Sequence, residues 1–365
     1  MRAVTAHSVT ATLRAMSLER PIVLAIETSC DDTACAIVDG AGRVLASSVS
    51  SQLAAHRPYG GVVPEIASRE HLANWPAVAS AALGPLGLAP ADADLVAATR
   101  GPGLVGALLV GLSMGKALAY GLGKPFYGVH HLEGHLWSPF LATGGAPAAA
   151  PPGRFVALVV SGGHTAIYDV VDGAVTTLAE TRDDAVGEVF DKLGKRLGLA
   201  YPQGPRVDEL AERGDGAREP LPVPRVEGEL FFSYSGLKSA AIRRLEALER
   251  AGLVVDPTDP PAPVLDLLAA FRAAAVAQLL GRLDRLHRSR PFALLAVSGG
   301  VAANRLLRRD LTTWAADRGV DLRLVPLGYS GDNAAMIAFA ALLRHRRGEP
   351  GDAFTVEAES RIPFG

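Results

Sequence analysis

Two histidines spaced by four residues form the most specific chemical motif in the sequence. In His131-Leu132-Glu133-Gly134-His135, this spacing places both imidazoles on one face of a helical turn, where they can bind one metal ion. Glu133 lies roughly 200° around the helix from His131, since each residue advances by about 100°. The motif therefore does not support peptidase chemistry of the H-E-x-x-H type, in which the glutamate is a general base. A pair of surface histidines is the alternative interpretation, and the adjacent His130 is a spare imidazole.

A third metal ligand has to come from another part of the chain, as a carboxylate or an imidazole. Asp332 precedes an apolar helix predicted over Ala334–Leu343, and it is a natural N-cap for that helix. As a ligand, Asp332 would instead complete a set of two histidines and one aspartate that leaves open positions for a substrate oxygen. A metal ion held in this way can position or polarise an anionic or carbonyl group.

The elements that must position these residues occur twice along the chain. Each half has an apolar run that stops at a polar turn, continues in a second apolar run and reaches an Asp-Gly pair, which is a strong signal for a two-residue hairpin turn. The polar turns are Thr28–Asp32 and Ser161–Thr165, and the pairs are Asp39-Gly40 and Asp172-Gly173. Later in each half, a strand ends in a glycine-rich turn that opens a helix, after Ala98 and after Val297. Such turns let the backbone approach an anionic ligand.

This repetition predicts a duplicated α/β fold of two lobes with a central nucleotide cleft. It resembles the superfamily of actin, sugar kinases and heat-shock ATPases. We assign residues 1–20 to an N-terminal extension, which we expect to be dispensable, although its composition also resembles a transit peptide. Residues 21–130 form the predicted N-terminal lobe, completed by a C-terminal helix over 333–347, and residues 131–332 form the C-terminal lobe. Residues 143–152 are predicted to form a linker.

Composition limits the class of protein. The 365 residues are 49% hydrophobic and 20% charged, which suits two domains with sizeable cores. A net charge of −2 excludes a globally basic nucleic-acid binder, and two cysteines exclude a disulfide framework. The longest apolar stretch, Leu104–Leu122, contains Lys116 and several glycines, so we predict a tightly packed buried helix rather than a membrane span, and a cytoplasmic protein.

Six further motifs follow one another along the chain. They are Ile26-Glu27-Thr28-Ser29-Cys30-Asp31-Asp32-Thr33, Gly60-Gly61-Val62-Val63-Pro64-Glu65-Ile66-Ala67-Ser68-Arg69, Val160-Ser161-Gly162-Gly163-His164-Thr165, Gly187-Glu188-Val189-Phe190-Asp191-Lys192, Tyr234-Ser235-Gly236-Leu237-Lys238 and Ser298-Gly299-Gly300-Val301-Ala302-Ala303-Asn304. Together they resemble the universal tRNA threonylcarbamoyladenosine transferase family, called TsaD in bacteria. They occur in the family's order, and the resemblance runs from about Pro21 to Phe339. Gln203 stands where a glycine is common in the family, which predicts an altered backbone around Gly204 if that position needs a positive φ.

The resemblance implies an actin-like acyltransferase. Its donor would be threonylcarbamoyl-AMP, made by a separate enzyme, and its acceptor N6 of adenosine 37 in tRNAs that read ANN codons. It implies one divalent metal ion per subunit, Fe²⁺ in the first place and Zn²⁺ as the alternative, bound by His131, His135 and Asp332. The substrate-binding residues that it implies are Val159, Val160, Ser161, Gly162, Gly163, Asp191, Gly204, Asp208 and Asn304.

The resemblance also implies partners. These are tRNA, an actin-like paralogue of the TsaB type and a small ATPase of the TsaE type, with no membrane. The stretch from Arg282 to Arg309 holds seven arginines and one aspartate, and it is either a tRNA-binding surface or a solvated helix face. The helix predicted over Gly106–Leu122 is either the docking surface for the paralogue or internal core.

The residues alone leave other function classes open. A metallopeptidase and a non-enzymatic actin-like scaffold or chaperone ATPase are the alternatives to the transferase. Cys30 and Cys35 are the only thiols, and neither is next to a histidine in sequence. We therefore predict that the adenine N6 amine attacks the carbamoyl carbon directly and that AMP leaves, without a covalent intermediate on the protein.

Overall fold

The computed structural model describes residues 5–8, 18–143, 147–148, 150–223 and 230–365. They form two compact units. Unit 1 comprises residues 1–151 and 325–364, and unit 2 comprises residues 152–324 and 365. Most of the extension over residues 1–20 and part of the linker over residues 143–152 lie outside the described residues. The dispensability of the extension stays a prediction, although residues 5–8 form a strand.

The units divide at residue 151, whereas the sequence analysis divides the lobes at residue 130. The difference arises because the helix that carries both histidines packs on the C-terminal helix over Ala334–Arg346, which belongs to unit 1. Both histidines and Asp332 therefore lie in unit 1. The lobes over residues 21–130 and 131–332 stay a prediction.

Eleven strands are described, and they form one mixed sheet in each unit. The strands are β1 (Thr5–Ser8), β2 (Val23–Glu27), β3 (Asp32–Val38), β4 (Val44–Ser51), β5 (Leu95–Gly101), β6 (Phe126–His130), β7 (Arg154–Val160), β8 (Thr165–Val171), β9 (Ala174–Glu180), β10 (Leu294–Ser298) and β11 (Asp321–Leu324). The sheet order is β1-β4-β3-β2-β5-β6 in unit 1 and β11-β10-β7-β8-β9 in unit 2.

The two sheets repeat one topology. In unit 1, β2, β3 and β4 are antiparallel neighbours, and β5 and β6 are added parallel to β2. In unit 2, β7, β8 and β9 are antiparallel neighbours, and β10 and β11 are added parallel to β7. The predicted duplication and the α/β class are confirmed.

The two Asp-Gly hairpins differ from each other. Asp172 and Gly173 form the predicted two-residue turn between β8 and β9, both with positive φ (50° and 86°). The prediction of a two-residue turn at Asp39-Gly40 is wrong, because the loop extends to Arg43. There the Asp39 carboxylate accepts hydrogen bonds from the amide of Ala41 and the amide and Nε of Arg43, which stabilise a wider turn.

Ten α-helices surround the sheets in the described residues. They are α1 (Leu53–His56), α2 (Pro64–Leu83), α3 (Val105–Leu122), α4 (His131–Trp137), α5 (Val186–Arg196), α6 (Gln203–Ala211), α7 (Ser235–Arg250), α8 (Ala262–Ser289), α9 (Arg305–Arg318) and α10 (Ala334–Arg346). In unit 1, α10 packs on β2 and β3 and is buried along Ala334–Leu343. Helices α2 and α3 pack on β3 and β5, over a core that includes alternate residues of β2 such as Leu24 and Ile26.

Two helices, α3 and α8, are long and apolar enough to span a membrane by length and composition alone. The most apolar window of α8 is 78% buried, as in a core helix, whereas that of α3 is only 33% buried. The prediction that α3 is a buried helix is therefore right for one face only. Gly111 and Gly115 lie on its buried face, and Val105, Leu109 and Tyr120 are more than half exposed.

Candidate metal centre and substrate cavity

A glycine allows the two segments that carry the histidines and Asp332 to approach each other. A Cβ atom on Gly134 would lie 2.9 Å from Ile337 Cδ1 and 3.0 Å from Met336 Cγ, closer than side chains pack. Helix α4 can therefore lie directly on the start of α10. This contact brings Asp332, just before α10, to His131 and His135 of α4.

The three side chains converge through one oxygen. Asp332 Oδ1 lies 3.2 Å from His135 Nε2 and 3.4 Å from His131 Nε2. One ligand atom of each residue lies within 4.8 Å of the other two. A tetrahedral ion with bonds of about 2.0–2.1 Å holds its ligands about 3.3–3.4 Å apart. The donor atoms and their spacing are thus compatible with a single metal ion of the kind that imidazole and carboxylate ligands bind.

A second layer of contacts orients His131. Its Nδ1 lies 3.2 Å from Ser29 Oγ and 3.3 Å from the buried carboxylate of Glu27. Glu27 in turn accepts hydrogen bonds from the Ser29 amide and the Thr99 hydroxyl. Since Nδ1 is engaged there, Nε2 of His131 is the nitrogen that faces Asp332, as in metal sites where a carboxylate holds the second nitrogen of a histidine ligand.

The charges of the cluster stabilise one another. Burial alone would lower the pKa of His131, but Asp332 and Glu27 more than offset this effect and raise it to about 10. Burial alone would raise the pKa of Asp332 and of Glu27. His131 and His135 together hold the pKa of Asp332 well below its usual range, and His131 with the Ser29 hydrogen bond lowers that of Glu27. A cation at this position is therefore strongly favoured, whether it is a proton or a metal ion.

The structure corrects the capping role considered for Asp332. The N-cap of α10 is Asn333, whose side-chain oxygen accepts a hydrogen bond from the Met336 amide at 3.0 Å. Its Nδ2 also donates to the carbonyl oxygens of Tyr329 and Gly331. Because Asn333 satisfies the helix terminus, the carboxylate of Asp332 remains available to the histidines.

Two neighbours of the histidines lie outside the cluster. Glu133 points away, as predicted, and its carboxylate lies 3.7 Å from Arg347. It therefore cannot act as a general base at the metal centre. His130 is the N-cap of α4, since its Nδ1 accepts a hydrogen bond from the Leu132 amide, and burial lowers its pKa to about 4.

Unit 2 contains a cavity of about 370 Å³ at the ends of its glycine-rich turns. Five of the nine predicted substrate residues line it, together with further glycines, prolines and apolar residues. These five are Gly162, Asp191, Gly204, Asp208 and Asn304. The other four predicted residues, Val159, Val160, Ser161 and Gly163, are not among its lining residues; the two valines are buried at the end of β7.

The two glycine-rich turns of unit 2 pack against each other. Gly299 has a φ of +92°, and a Cβ atom there would lie 2.2 Å from the Val160 carbonyl oxygen. Only glycine fits this backbone contact. Ser161 closes its own turn, because its amide donates to the His164 carbonyl and its hydroxyl accepts from the His164 amide.

A polar group fixes one wall of the cavity. Asp208 accepts hydrogen bonds from Asn304 Nδ2 at 2.7 Å and from Arg272 at 3.0 Å. Asn304 also caps α9, because its side-chain oxygen accepts a hydrogen bond from the Leu307 amide. On the neighbouring wall, Asp191 Oδ1 accepts a hydrogen bond from the Gly204 amide nitrogen, 2.7 Å away, and this bond fixes the start of α6.

The backbone distortion expected at Gln203 does not occur. Gln203 begins α6, is buried and has no positive φ. Since the helical conformation is open to any residue except proline in its interior, glutamine replaces glycine here without strain.

Comparison with known proteins identifies the family. The sequence model described as "TsaD: tRNA N6-adenosine threonylcarbamoyltransferase" matches residues 43–339. A relative of that name from Thermus thermophilus is 45% identical over 344 residues, which are 94% of this chain and 98% of the relative. Another from Pelobacter propionicus is 49% identical over 324 residues, 87% of this chain and 90% of the relative.

The chain belongs to the tRNA N6-adenosine threonylcarbamoyltransferase family.

As a member of this family it is a transferase that acts on adenosine in tRNA. Among solved structures, the one described as "T.kodakarensis HypF" matches with a TM-score of 0.56 and 15% identity over 92% of this chain. The chain spans about half of that protein, 49% of its length. At this identity the likeness concerns the fold alone, and it supports the actin-like fold of the transferase.

Two residues that contact the candidate site were missed by the sequence reasoning. Glu27 is part of one of the six motifs, but its contact with His131 was not predicted. A signal was present, because Glu27 is an acid at the end of the otherwise apolar run of β2, and such a residue is buried only with partners. Arg272 gives no such signal, since it lies within the long apolar helix α8 and reaches Asp208 only through the fold.

Proposed function

We propose that this chain transfers the threonylcarbamoyl group of threonylcarbamoyl-AMP to N6 of adenosine 37 in tRNAs that read ANN codons, and that it does so in the cytoplasm. The observation that carries the proposal is the cavity of unit 2, whose glycine turns and Asp208–Asn304 pair suit an adenylate in a chain of this family. Glycine-rich turns present amides to phosphate oxygens, and carboxylates accept ribose hydroxyls.

Within this cavity we assign separate roles to the residues. Gly162 and Gly300 bring backbone close to the phosphate, and Asp191 and Asp208 accept hydrogen bonds from the adenosine half of the donor. Asn304 orients Asp208. These groups bind and orient the donor, and none of them is a nucleophile.

We further propose that His131, His135 and Asp332 hold one divalent metal ion, Fe²⁺ in the first place and Zn²⁺ as the alternative. The spacing of the three donor atoms and the Glu27 contact to His131 support this assignment. When bound, such an ion would polarise or position an oxygen of the acyl donor. Elemental analysis of the full chain purified without oxygen tests the assignment, and a protein with fewer than about 0.1 ions per chain after exposure to both metals contradicts it.

The chemistry of the thiols supports direct transfer to the tRNA amine. Burial raises the pKa of Cys35 to about 12, and burial together with Asp31 raises that of Cys30. Neither thiol is therefore a thiolate near neutral pH, which a sulfur nucleophile would have to be. Incubation with labelled donor in the absence of tRNA should leave no label on the protein, and a labelled peptide would overturn this step.

The central experiment is a transfer assay. The full chain, with and without its proposed partners, is incubated with threonylcarbamoyl-AMP and an unmodified tRNA that reads an ANN codon. The tRNA is then digested, and its nucleosides are separated and identified by mass spectrometry. We expect threonylcarbamoyladenosine in this tRNA. We expect none in a control tRNA of the same sequence that carries guanosine at position 37. Modification of both tRNAs refutes the proposal, and so does modification of neither tRNA with any combination of partners.

Several arginines of the stretch from Arg282 to Arg309 are engaged within the fold. Arg288 pairs with Asp284, Arg290 pairs with Asp169, and Arg282 donates to a backbone carbonyl. Arg305 is exposed at the cavity wall, and we propose that it contacts tRNA phosphate there. In a plot of the logarithm of the tRNA-binding constant against the logarithm of the salt concentration, the Arg305→Ala variant should reduce the steepness of the slope by about one unit. An unchanged slope would exclude the contact.

We propose that α3 and the adjacent α2 dock the actin-like paralogue, with a TsaE-type ATPase as a further partner. Val105, Leu109 and Tyr120 of α3 and Leu72 of α2 form an exposed apolar surface, with side chains 56–77% exposed. Such a surface is typical of protein interfaces. Leu109→Glu should abolish co-purification with the paralogue and leave AMP binding unchanged, whereas retained co-purification would place the interface elsewhere.

A further inference from the structure

Residues Glu349–Phe364, which we call the strap, follow α10 as a largely extended segment along unit 1. The strap begins beside β6, where the Asp352 amide donates to the Phe126 carbonyl at 2.7 Å. It continues beside β5, where the Glu359 amide donates to the Arg100 carbonyl at 2.9 Å. It is thus fixed by backbone hydrogen bonds along its length.

The end of the strap contacts one imidazole. The carbonyl oxygen of Ile362 lies 3.3 Å from His130 Nε2. The ring of Phe364 stacks on the ring of His130, with 4.5 Å between the centroids and 21° between the planes. His130 is therefore held on one edge by a hydrogen bond and on one face by an aromatic ring.

His130 connects the strap to the helix that carries the histidines of the metal centre. Its other nitrogen, Nδ1, accepts a hydrogen bond from the Leu132 amide at 3.1 Å and so caps α4. An amide can only donate, so Nδ1 carries no proton, and Nε2 must be the protonated nitrogen that donates to Ile362. The strap thus selects the tautomer that the cap requires.

We propose that His130 is a positioning residue and that the strap acts through it: Ile362 and Phe364 hold the imidazole in the capping tautomer and orientation, which fixes α4 and thereby strengthens metal binding by His131 and His135. This inference rests on the proposed metal site. Helix α4 has only seven residues, too few to be stable without its caps and its packing. His131 is its first residue, so a loss of the cap acts directly on a ligand.

Cobalt affinity of the full chain, measured by competition with a chelator, tests the proposal. In one variant Ile362-Pro363-Phe364 is replaced by Gly-Ser-Gly, which keeps the length but removes the packing. We expect Co²⁺ binding to weaken about fivefold, the factor equivalent to one helix cap. The matched control is Phe354→Ala, which removes an aromatic ring of the same strap that packs on Tyr120 and Phe126 and should leave the affinity within about twofold.

A double-mutant cycle decides whether the strap acts through His130. Asparagine caps helices with its short side chain but cannot reach the strap, so His130→Asn should retain much of the affinity that His130→Ala loses. In the His130→Asn background, the strap replacement should change the affinity by less than about twofold. An equal loss in both backgrounds, or a loss in neither, overturns the proposal.

Nitrogen chemical shifts of the His130 ring give an independent reading. We expect a protonated Nε2 and an unprotonated Nδ1 in the native chain, and a mixture of tautomers after the strap replacement. The same tautomer in both proteins overturns the proposal. If the native chain binds no Co²⁺, the proposed metal site fails and this inference fails with it. If the native chain and all variants bind Co²⁺ equally, only the role of the strap fails.

Discussion

The candidate metal centre of unit 1 and the substrate cavity of unit 2 position their groups by different means. The metal centre consists of two buried histidines and a partly buried aspartate from distant segments, and these side chains depend on one another's charge. The cavity is formed mainly by backbone turns and small residues. Its Asp208 is held by hydrogen bonds from the Asn304 amide and the Arg272 guanidinium. Loss of one ligand should therefore abolish metal binding, whereas loss of one cavity contact should only weaken substrate binding.

The largest expected effect is that of Asp332→Ala. It removes the one oxygen that both histidines share and leaves the imidazoles without their carboxylate. We expect metal affinity and transfer activity to fall by about 100-fold or more. AMP binding in unit 2, measured by calorimetry, should change by less than about twofold.

Glu133→Ala is the control for Asp332→Ala, since Glu133 belongs to the same region but faces Arg347. It should retain the metal. Loss of the metal in Glu133→Ala together with full occupancy in Asp332→Ala would show that the ligand assignment is wrong.

Glu27→Gln should give the next largest effect. The shape of the side chain is kept, but the charge opposite His131 is lost. An NH₂ group also replaces one of the two carboxylate oxygens, of which Oε1 accepts a hydrogen bond from the Ser29 amide and Oε2 accepts one from the Thr99 hydroxyl. Metal affinity should fall by about 10- to 100-fold, the usual cost of losing an outer partner of a histidine ligand. Competition with a chelator measures it, with Glu133→Gln as the matched control, and equal affinities in the two variants would remove Glu27 from the metal centre.

In the cavity, Asn304→Ser separates the two roles of Asn304. Serine keeps the cap of α9 but loses the amide that donates to Asp208. AMP binding should weaken about tenfold, as expected for one hydrogen bond to a charged group, while metal content is unchanged. Asn304→Ala should lose the same affinity and in addition lower the thermal unfolding temperature. Unaltered AMP binding in Asn304→Ser would show that the Asp208 contact has no part in the site.

The smallest effect concerns pH and the acid at the start of β3. Burial, followed by Asp31 and Asp332, raises the pKa of Asp32 from 3.8 to about 7. The folded state thus binds this proton more tightly than the unfolded state, so the protein loses stability as the pH rises from about 4 to 7. In metal-free protein, Asp32→Asn should raise the free energy of unfolding by about 1–2 kcal/mol above pH 7.

This gain should shrink as the pH falls toward 3.8, and it should vanish below that pH, where Asp32 is protonated in both the folded and the unfolded state. A gain of the same size at all pH values would show that Asp32 titrates normally. Thermal unfolding of the two proteins across the pH range measures the difference.

Local patterns predicted much of this molecule from its sequence. The repeated apolar runs predicted both sheets, and the four-residue spacing predicted two histidines on one helix, since such patterns depend on neighbours in the chain. The sequence leaves Asp332 as either the cap of α10 or a metal ligand, because Asp and Asn both cap helices and only the fold shows that Asn333 is the cap. The acid at the end of β2 indicates that Glu27 has a buried partner. No local pattern indicates that this partner is His131, or that Arg272 contacts Asp208, because these residues are far apart in sequence.

The position of α10 in the chain has a consequence for synthesis on the ribosome. Unit 2 is nearly continuous, from residue 152 to 324, whereas unit 1 needs α10, which is buried on β2 and β3 and is made only after unit 2 is complete. We therefore expect unit 2 to fold before unit 1 is complete, the reverse of the usual order in which the N-terminal domain folds first. We expect the first 151 residues to await their last helix with part of their apolar sheet uncovered, a nascent state that chaperones would recognise.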